Sequence, residues 1–356
     1  MSFFKIDNVK IRGISVSVPK HVEENSMYHL FNKDEFGSFV ATTGVERKRK
    51  GGELTCTSDL CIAAAESLIS HLNWNKDDIS IIVLATQTAD FIIPSTAPII
   101  QNKLGLNTKC YAIDISLGCS GWVYGMSVIC SLLSNMFPVS SSMNNHKAIL
   151  LAGDTLRASI EDKSTYPLFG DAGTATALEF HEESDPILFS TNSDGGGYES
   201  IIIYDGGFRN PTSLSSFSMI NRGERIVSNN LQLVLDGMNV FSFGISKAPE
   251  SVNDLINTFG LDKDQIDYFT FHQANLFMNE KIRKKLKLSA EKVPYSLKNY
   301  GNTSSASIPL TMVTELNKPL KEKELRHIAC GFGVGLSWAS MYFKTNNIVC
   351  PEIVEV

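Results

Sequence analysis

The residue types best suited to covalent chemistry here are a cysteine, a histidine and an asparagine in three separated stretches: Cys119, His272 and Asn302. Cys119 lies in CYAIDISLGCSGWVYGMSVICSLLS, residues 110–134. Tyr111, Ile113 and Ile115 alternate with Ala112, Asp114 and Ser116, the period of a strand. The small-residue turn Gly118-Cys119-Ser120-Gly121 follows. The uncharged run from Trp122 to Leu133 then reads as a helix buried on all sides. Cys119 therefore falls where a buried helix begins. Free backbone N–H groups and the positive end of the helix dipole favour a thiolate there. A buried structural cysteine is the competing reading for Cys119, and it is the reading for Cys130.

His272 ends the strand read in DYFTFHQAN, residues 267–275, and a helix follows with Lys281, Arg283, Lys284 and Lys285 near its end. The carboxyl end of a parallel strand is where open α/β sheets carry their sites; a satisfied structural histidine is the alternative. Asn302 sits in YGNTSSASIPL, residues 300–310, where small residues open another helix with Asn302 at its cap.

These segments need a frame. VKIRGISVSV (9–18) alternates like a strand, and SDLCIAAAESLISHL (58–72) reads as an amphipathic helix capped by Ser58. IIVLAT (81–86) and AILLAGDT (148–155) are continuous apolar runs suited to strands covered on both faces. Pro94 and Pro98 mark a loop into a short helix, 138–146 is a polar loop, and FGDAGTATAL (169–178) reads as a turn and a strand. LISHLNWNKDDIS, from Leu68, is echoed by LINTFGLDKDQID, from Leu255, 187 positions later. Both read as helix, polar turn, strand. The echo implies two similar α/β halves, 1–180 and 181–356, joined near 180–220, with the Gly- and Asp-rich stretch 192–211 as loop and linker. Such halves bring the Cys119, His272 and Asn302 loops to one crevice.

Composition narrows the partners. Hydrophobic residues make up 43% of the 356 and charged residues 20%, the balance of a globular protein with a large core. A net charge of −6 argues against nucleic acid as a partner. The basic run ERKRK (46–50) reads as a solvated face. No apolar run reaches membrane-spanning length, and MSFFKIDNVKIRG lacks the basic and apolar regions of a signal sequence. The seven cysteines are an odd number without metal-like pairing, which suits free thiols in a reducing cytoplasm.

LGCSGWVYGM, HQANLFMNEKIRKKL, NYGNTSSASIPL and GFGVGLSW, in that order, resemble the motifs of the β-ketoacyl-acyl carrier protein synthase III group of the thiolase superfamily. The resemblance spans nearly the whole chain. It implies a thiolase fold, with two βαβαβαββ halves in a five-layer α-β-α-β-α sandwich, usually as a homodimer. It implies a Cys119–His272–Asn302 triad working without cofactor or metal on thioesters carried by acyl carrier protein or coenzyme A. Cys119 would take the acyl group, and a malonyl thioester would then lose carbon dioxide and condense with it. His272 and Asn302 would hold the enolate oxyanion, and the backbone N–H groups of Cys119 and Val334 the tetrahedral one. The family usually has glycine where Val334 stands. By the same resemblance Ile93 shapes the partner subunit's acyl pocket, Phe169 and Asp171 belong to a structural motif, and Lys281, Arg283, Lys284 and Lys285 dock the acidic carrier protein.

Three family residues are missing. Ser38, Thr42 and Phe277 replace the tryptophan and two arginines that bind coenzyme A. Without indole stacking and guanidinium–phosphate contacts, a carrier-borne or other acyl thioester is the expected donor. Two other functions fit the same residues: acyl transfer to an amine or hydroxyl without decarboxylation, and a non-catalytic partner that binds carrier protein.

Overall fold

The computed structural model describes residues 2–136 and 146–356; of the polar loop expected at 138–146, only His146 lies among them. The first half runs β1 (Ser2–Ile6), β2 (Val9–Val18), β3 (Val22–Glu24), α1 (Lys33–Thr43), β4 (Arg47–Arg49) and α2 (Thr57–His71). It continues through β5 (Ile79–Ala85), α3 (Thr96–Lys103), β6 (Tyr111–Ile115), α4 (Gly121–Ser134), β7 (Lys147–Asp154) and β8 (Ala172–Phe180). β9 (Ile187–Ser193) opens the second, followed by the short strands β10 (Ile201–Ile202), β11 (Ile220–Gly223), β12 (Ile226–Ser228) and β13 (Val234–Leu235). Then come α5 (Gly237–Phe259), β14 (Tyr268–Phe271), α6 (Leu276–Lys285), α7 (Leu297–Tyr300) and α8 (Ser307–Glu315). The chain ends with α9 (Asn317–Glu322), β15 (Glu324–Gly333), β16 (Ser337–Asn346) and β17 (Val354–Glu355).

Two sheets carry the fold. One has the order β17-β2-β8-β7-β5-β6 and the other β1-β9-β16-β15-β14. The runs β2-β8-β7-β5 and β9-β16-β15-β14 correspond, each with one parallel pair at the site end, β5 with β7 and β14 with β15. β6 has no counterpart in the second sheet among the described residues; the segment between α6 and α8 holds α7 and 3-10 turns instead. The chain's two ends cross over, β1 pairing with β9 and β17 with β2.

Strand alternation builds the layers. On β5, Ile81, Val83 and Ala85 face a central core with α4 and α8, while Ile82 and Leu84 face an outer core with α2 and α3. On β16, Ala339, Met341 and Phe343 join the central core, while Trp338 and Tyr342 pack under α5 and α6. Both faces of each sheet are thus apolar, as buried strands require. The result is the five-layer thiolase sandwich, with α4 and α8 as its middle layer. Each fully buried Leu, Ile or Phe in these cores contributes about 1.5–3 kcal/mol.

The internal echo is structural as well. Leu68 in α2 and Leu255 in α5 are both buried. Asn75 and Asp262 then each accept a backbone N–H, from Asp77 at 3.1 Å and from Asp264 at 3.0 Å, to start a 3-10 turn into β5 and β14.

Three local expectations change. α2 starts one residue early, with Cys56 rather than Ser58 at its cap, because Asp59 accepts the Cys56 N–H at 3.0 Å and Ser58 donates to Asp90 at 2.8 Å. The stretch 192–211 is not all linker: β9 extends to Ser193, and the Asp194 carboxylate caps a 3-10 turn over Gly195–Ser200. Asn302 is not the cap of α8, since a 3-10 turn at Ser304–Ala306 intervenes.

Candidate active site

The carboxyl ends of β5, β6, β14 and β15 meet at the seam between the halves, and the loops leaving them enclose a cavity of about 370 Å³. Cys119, His272, Asn302 and Val334 all line it. Cys119 comes from the β6–α4 turn, where Gly121 N–H donates to Gly118 O at 2.6 Å. Ser120, the α4 cap residue, uses its side chain on Ser337 Oγ, 2.7 Å away, and Ser337 Oγ donates to Val334 O at 2.8 Å. That chain ties the Cys119 turn of one half to the β15–β16 turn of the other.

Glycine makes the approach possible. A Cβ on Gly333 would stand 2.8 Å from Cys119 Sγ, and one on Gly331 would stand 2.8 Å from Cys119 O. The Ser304 hydroxyl, 3.9 Å from Sγ, and then hydrogen bonds from the Val334 and Cys119 backbones lower the thiol pKa. Burial outweighs them and pushes the thiol up to about 11; the Asp154 carboxylate adds to the rise. A thiolate favoured at rest, as the helix position suggested, is therefore not what this buried site provides.

His272 follows β14 directly, with its backbone N–H donating to Cys330 O at 2.9 Å. Its Nδ1 lies 2.8 Å from Ser307 Oγ, and the ring of Phe332 meets it edge-on at 5.5 Å. Burial holds the imidazole neutral, with its pKa down to about 3. The nitrogen left for chemistry is Nε2.

Asn302 is held by the first half. Its N–H donates to Leu168 O at 2.9 Å, and its carbonyl accepts from Gly170 N–H at 3.1 Å. Gly301 before it has φ 63°, and a Cβ there would stand 2.5 Å from Leu168 O. Asn302 Oδ1 accepts the Ser304 N–H at 2.9 Å, which leaves Nδ2 as the donor, with one long contact to Ala274 O at 3.5 Å. Asp171, in the same FGDAG segment, accepts from Lys50 Nζ at 2.8 Å and Gly51 N–H at 2.9 Å.

Of the other sequence candidates, Phe169 lines the cavity, and the rest lie apart from its wall. Ile93 is 77% exposed on the β5–α3 loop. Lys281, Lys284 and Lys285 are exposed on α6, but Arg283 is paired with Glu280 at 2.8 Å and donates to Leu288 O. Ser38 and Thr42 are exposed on α1, and Phe277 stacks on Phe241 at 5.4 Å.

Several contributors went unnamed at the sequence level. Ser307 lay in view within NTSSAS, and Gly331 and Gly333 within CGFGV, without a role. Asp154, a charge ending an otherwise apolar strand, was a readable signal. It is buried at the seam and accepts from Thr86 Oγ1, Gln87 N–H and Ser305 N–H at 3.1, 2.8 and 3.2 Å. Among the described residues no group of three or more His, Cys, Asp or Glu side chains is disposed to hold a metal ion, and no helix is long and apolar enough to cross a membrane.

Known proteins match this architecture along its length. Residues 113–195 match the family model for 3-oxoacyl-[acyl-carrier-protein] synthase III, and 256–345 match the one for its C-terminal part. A putative 3-oxoacyl-[acyl-carrier-protein] synthase 3 of Campylobacter jejuni is 31% identical over 98% of each chain. A β-ketoacyl-[acyl-carrier-protein] synthase III of Clostridium perfringens is 31% identical over 95% of this chain and 99% of its own. The crystal structure of a 3-oxoacyl-(acyl-carrier protein) synthase from Burkholderia xenovorans superposes with a TM-score of 0.90 at 34% identity, covering 100% of this chain and 99% of that one. The chain therefore belongs to the 3-oxoacyl-[acyl carrier protein] synthase III family, condensing acyltransferases built on the thiolase fold.

Proposed function

We propose that this protein makes a β-ketoacyl thioester in two half-reactions at Cys119. In the first, the Cys119 thiol gives its proton to His272 Nε2, and Sγ attacks the carbonyl carbon of an acyl thioester. The backbone N–H groups of Cys119 and Val334 hold the tetrahedral oxyanion. The bond to the pantetheine sulfur breaks, and that sulfur leaves with the proton from His272. In the second, the carboxylate of a malonyl thioester departs as carbon dioxide and its electron pair forms an enolate. His272 Nε2–H and Asn302 Nδ2–H donate to the enolate oxygen. The enolate carbon bonds to the acyl carbonyl, and the bond to Sγ breaks. Ser307 serves both steps, because a hydroxyl can accept from Nδ1–H or donate to bare Nδ1 and so supports either tautomer.

The observation that carries this reading is the meeting of Cys119, His272, Asn302 and Val334 around one cavity. Intact-mass measurement after exposure to an acyl thioester tests the first half, and carbon dioxide release from malonyl carrier protein tests the second. Wild type should show both. Asn302→Ala should keep an acyl adduct and lose carbon dioxide release, whereas His272→Ala should form the adduct more slowly and also lose release. No adduct on wild type would defeat the reading, and an adduct without release would favour transfer to an amine or hydroxyl.

The acyl donor in this proposal rides on acyl carrier protein. Ser38, Thr42 and the stacked Phe241–Phe277 pair offer no guanidinium to nucleotide phosphates. Lys281, Lys284 and Lys285 form the docking face for the acidic carrier, without Arg283, which Glu280 neutralises. Equal acylation rates from coenzyme A and carrier thioesters would count against this assignment. The working form is a cytoplasmic homodimer. β6 leaves one edge unpaired, and Phe91, Ile92 and Ile93 stand exposed beside it, so Ile93 is available to a partner subunit's acyl pocket.

A further inference from the structure

The cavity around Cys119 has two unlike walls. Beyond His272, Asn275, Asn302 and Ser304, the second half supplies an apolar one, with Ile203, Leu233, Val240 and Met278. The first half supplies Leu156, Leu168 and Phe169 and, at the carboxyl ends of β5 and β6, a polar wall made by Gln87 and Ser116. Gln87 is fixed at its backbone, where its N–H donates to Asp154 at 2.8 Å. Its Oε1 occupies the space a side chain on Gly118 would need, 2.7 Å from that Cβ position and one residue before the nucleophile. Gln87 and Ser116 line the cavity and are exposed to water there, and neither the Gln87 amide nor the Ser116 hydroxyl has a hydrogen-bond partner among the described residues.

An alkyl chain bonded to Cys119 and lying against this wall would strip water from an amide and a hydroxyl and return nothing. A chain with its own hydroxyl or carbonyl within a few bonds of the thioester would satisfy them. We propose that Gln87 and Ser116 select an acyl group bearing a hydrogen-bonding oxygen close to its thioester carbon, such as a short hydroxyacyl group, over a plain alkanoyl group. The inference rests on the acyl-enzyme reading and names the substrate class of that same site. Sites built to hydrogen-bond a substrate hydroxyl reject the analogue lacking it far more strongly than apolar pockets reject an extra methylene.

The test is a competition between butanoyl and 3-hydroxybutanoyl pantetheine thioesters, reading Cys119 acylation by intact mass in wild type, Gln87→Leu and Ser116→Ala. Wild type should acylate at least about tenfold faster with the hydroxyacyl donor. Gln87→Leu should bring that ratio close to one by acylating faster with butanoyl, a gain that a misfolded variant would not give. Ser116→Ala should lower the ratio in part. Equal or faster reaction with butanoyl in wild type overturns the inference and leaves the acyl-enzyme intact. A hydroxyacyl preference unchanged in both variants overturns it too. No adduct from either donor removes the acyl-enzyme, and this inference with it.

Discussion

Asp154 Oδ2 accepts the backbone N–H of Ser305 at 3.2 Å, joining residues 151 positions apart. A buried carboxylate at the end of β7 thereby grips the second-half loop that carries Asn302. Its other oxygen binds Thr86 and Gln87 on the loop after β5. One side chain therefore sets the spacing between the Gln87 loop and the loop that carries Asn302.

Asp154→Asn replaces one acceptor oxygen with an N–H₂ that faces other donors. A buried donor left unsatisfied costs about 1–3 kcal/mol, so the melting temperature should fall by several degrees. Decarboxylation should fall more than acylation, because Asn302 is displaced while Cys119 is not. Calorimetry and the two half-reaction assays check this; equal losses in both steps would mean a purely structural role.

Gly333→Ala brings a methyl group to 2.8 Å from Cys119 Sγ and 2.6 Å from its Cβ. Overpacking of this kind costs about 1–3 kcal/mol, and here the strain falls on the nucleophile. Acylation should drop at least tenfold in a protein that still folds, as seen by circular dichroism beside single-turnover mass spectrometry. Near-wild-type acylation would show that Cys119 has room the geometry denies it.

Ser307→Ala removes the hydroxyl 2.8 Å from His272 Nδ1. The ring loses its orientation and its tautomer partner, worth about 1 kcal/mol as a net hydrogen bond. Carbon dioxide release should slow by about tenfold, with Ser307→Thr restoring part of it. An unchanged rate in Ser307→Ala would show that the ring is held by Phe332 and the Ser304 backbone without help from Ser307.

Titration of the site should follow burial. With the Cys119 thiol at about 11 and the His272 imidazole at about 3, both groups are uncharged at neutral pH. The raised thiol pKa makes the thiolate a minor species whose fraction grows tenfold with each unit of rising pH. Alkylation of Cys119 by iodoacetamide should therefore climb about tenfold per unit from about pH 6 to about pH 9, without levelling. A plateau starting near neutrality would mean a thiolate–imidazolium pair instead.

Local pattern carried much of this protein into view. Period-2 alternation marks β2 and β6, and continuous apolar runs mark β5 and β7, because a strand covered by layers on both faces must carry apolar groups on both sides. The small-residue turn and uncharged run mark Cys119 at the head of α4, and the Leu68–Leu255 echo marks the duplicated frame. The Glu280–Arg283 spacing that pairs Arg283 with a carboxylate was also readable, as an i,i+3 pair on one helix.

What no local pattern holds is the joining of the halves. Ser120 meets Ser337 across 217 positions and Asp154 meets Ser305 across 151. Whether Cys119 rests as thiol or thiolate follows from how much water the second half excludes from it, and that depends on Gly331 and Gly333 letting β15 press close. Residue types and order along the chain determined which groups are present and which short elements bear them. Only packing of the two sheets around α4 and α8 decided their distances and protonation, because desolvation and hydrogen bonding depend on neighbours in space rather than in sequence.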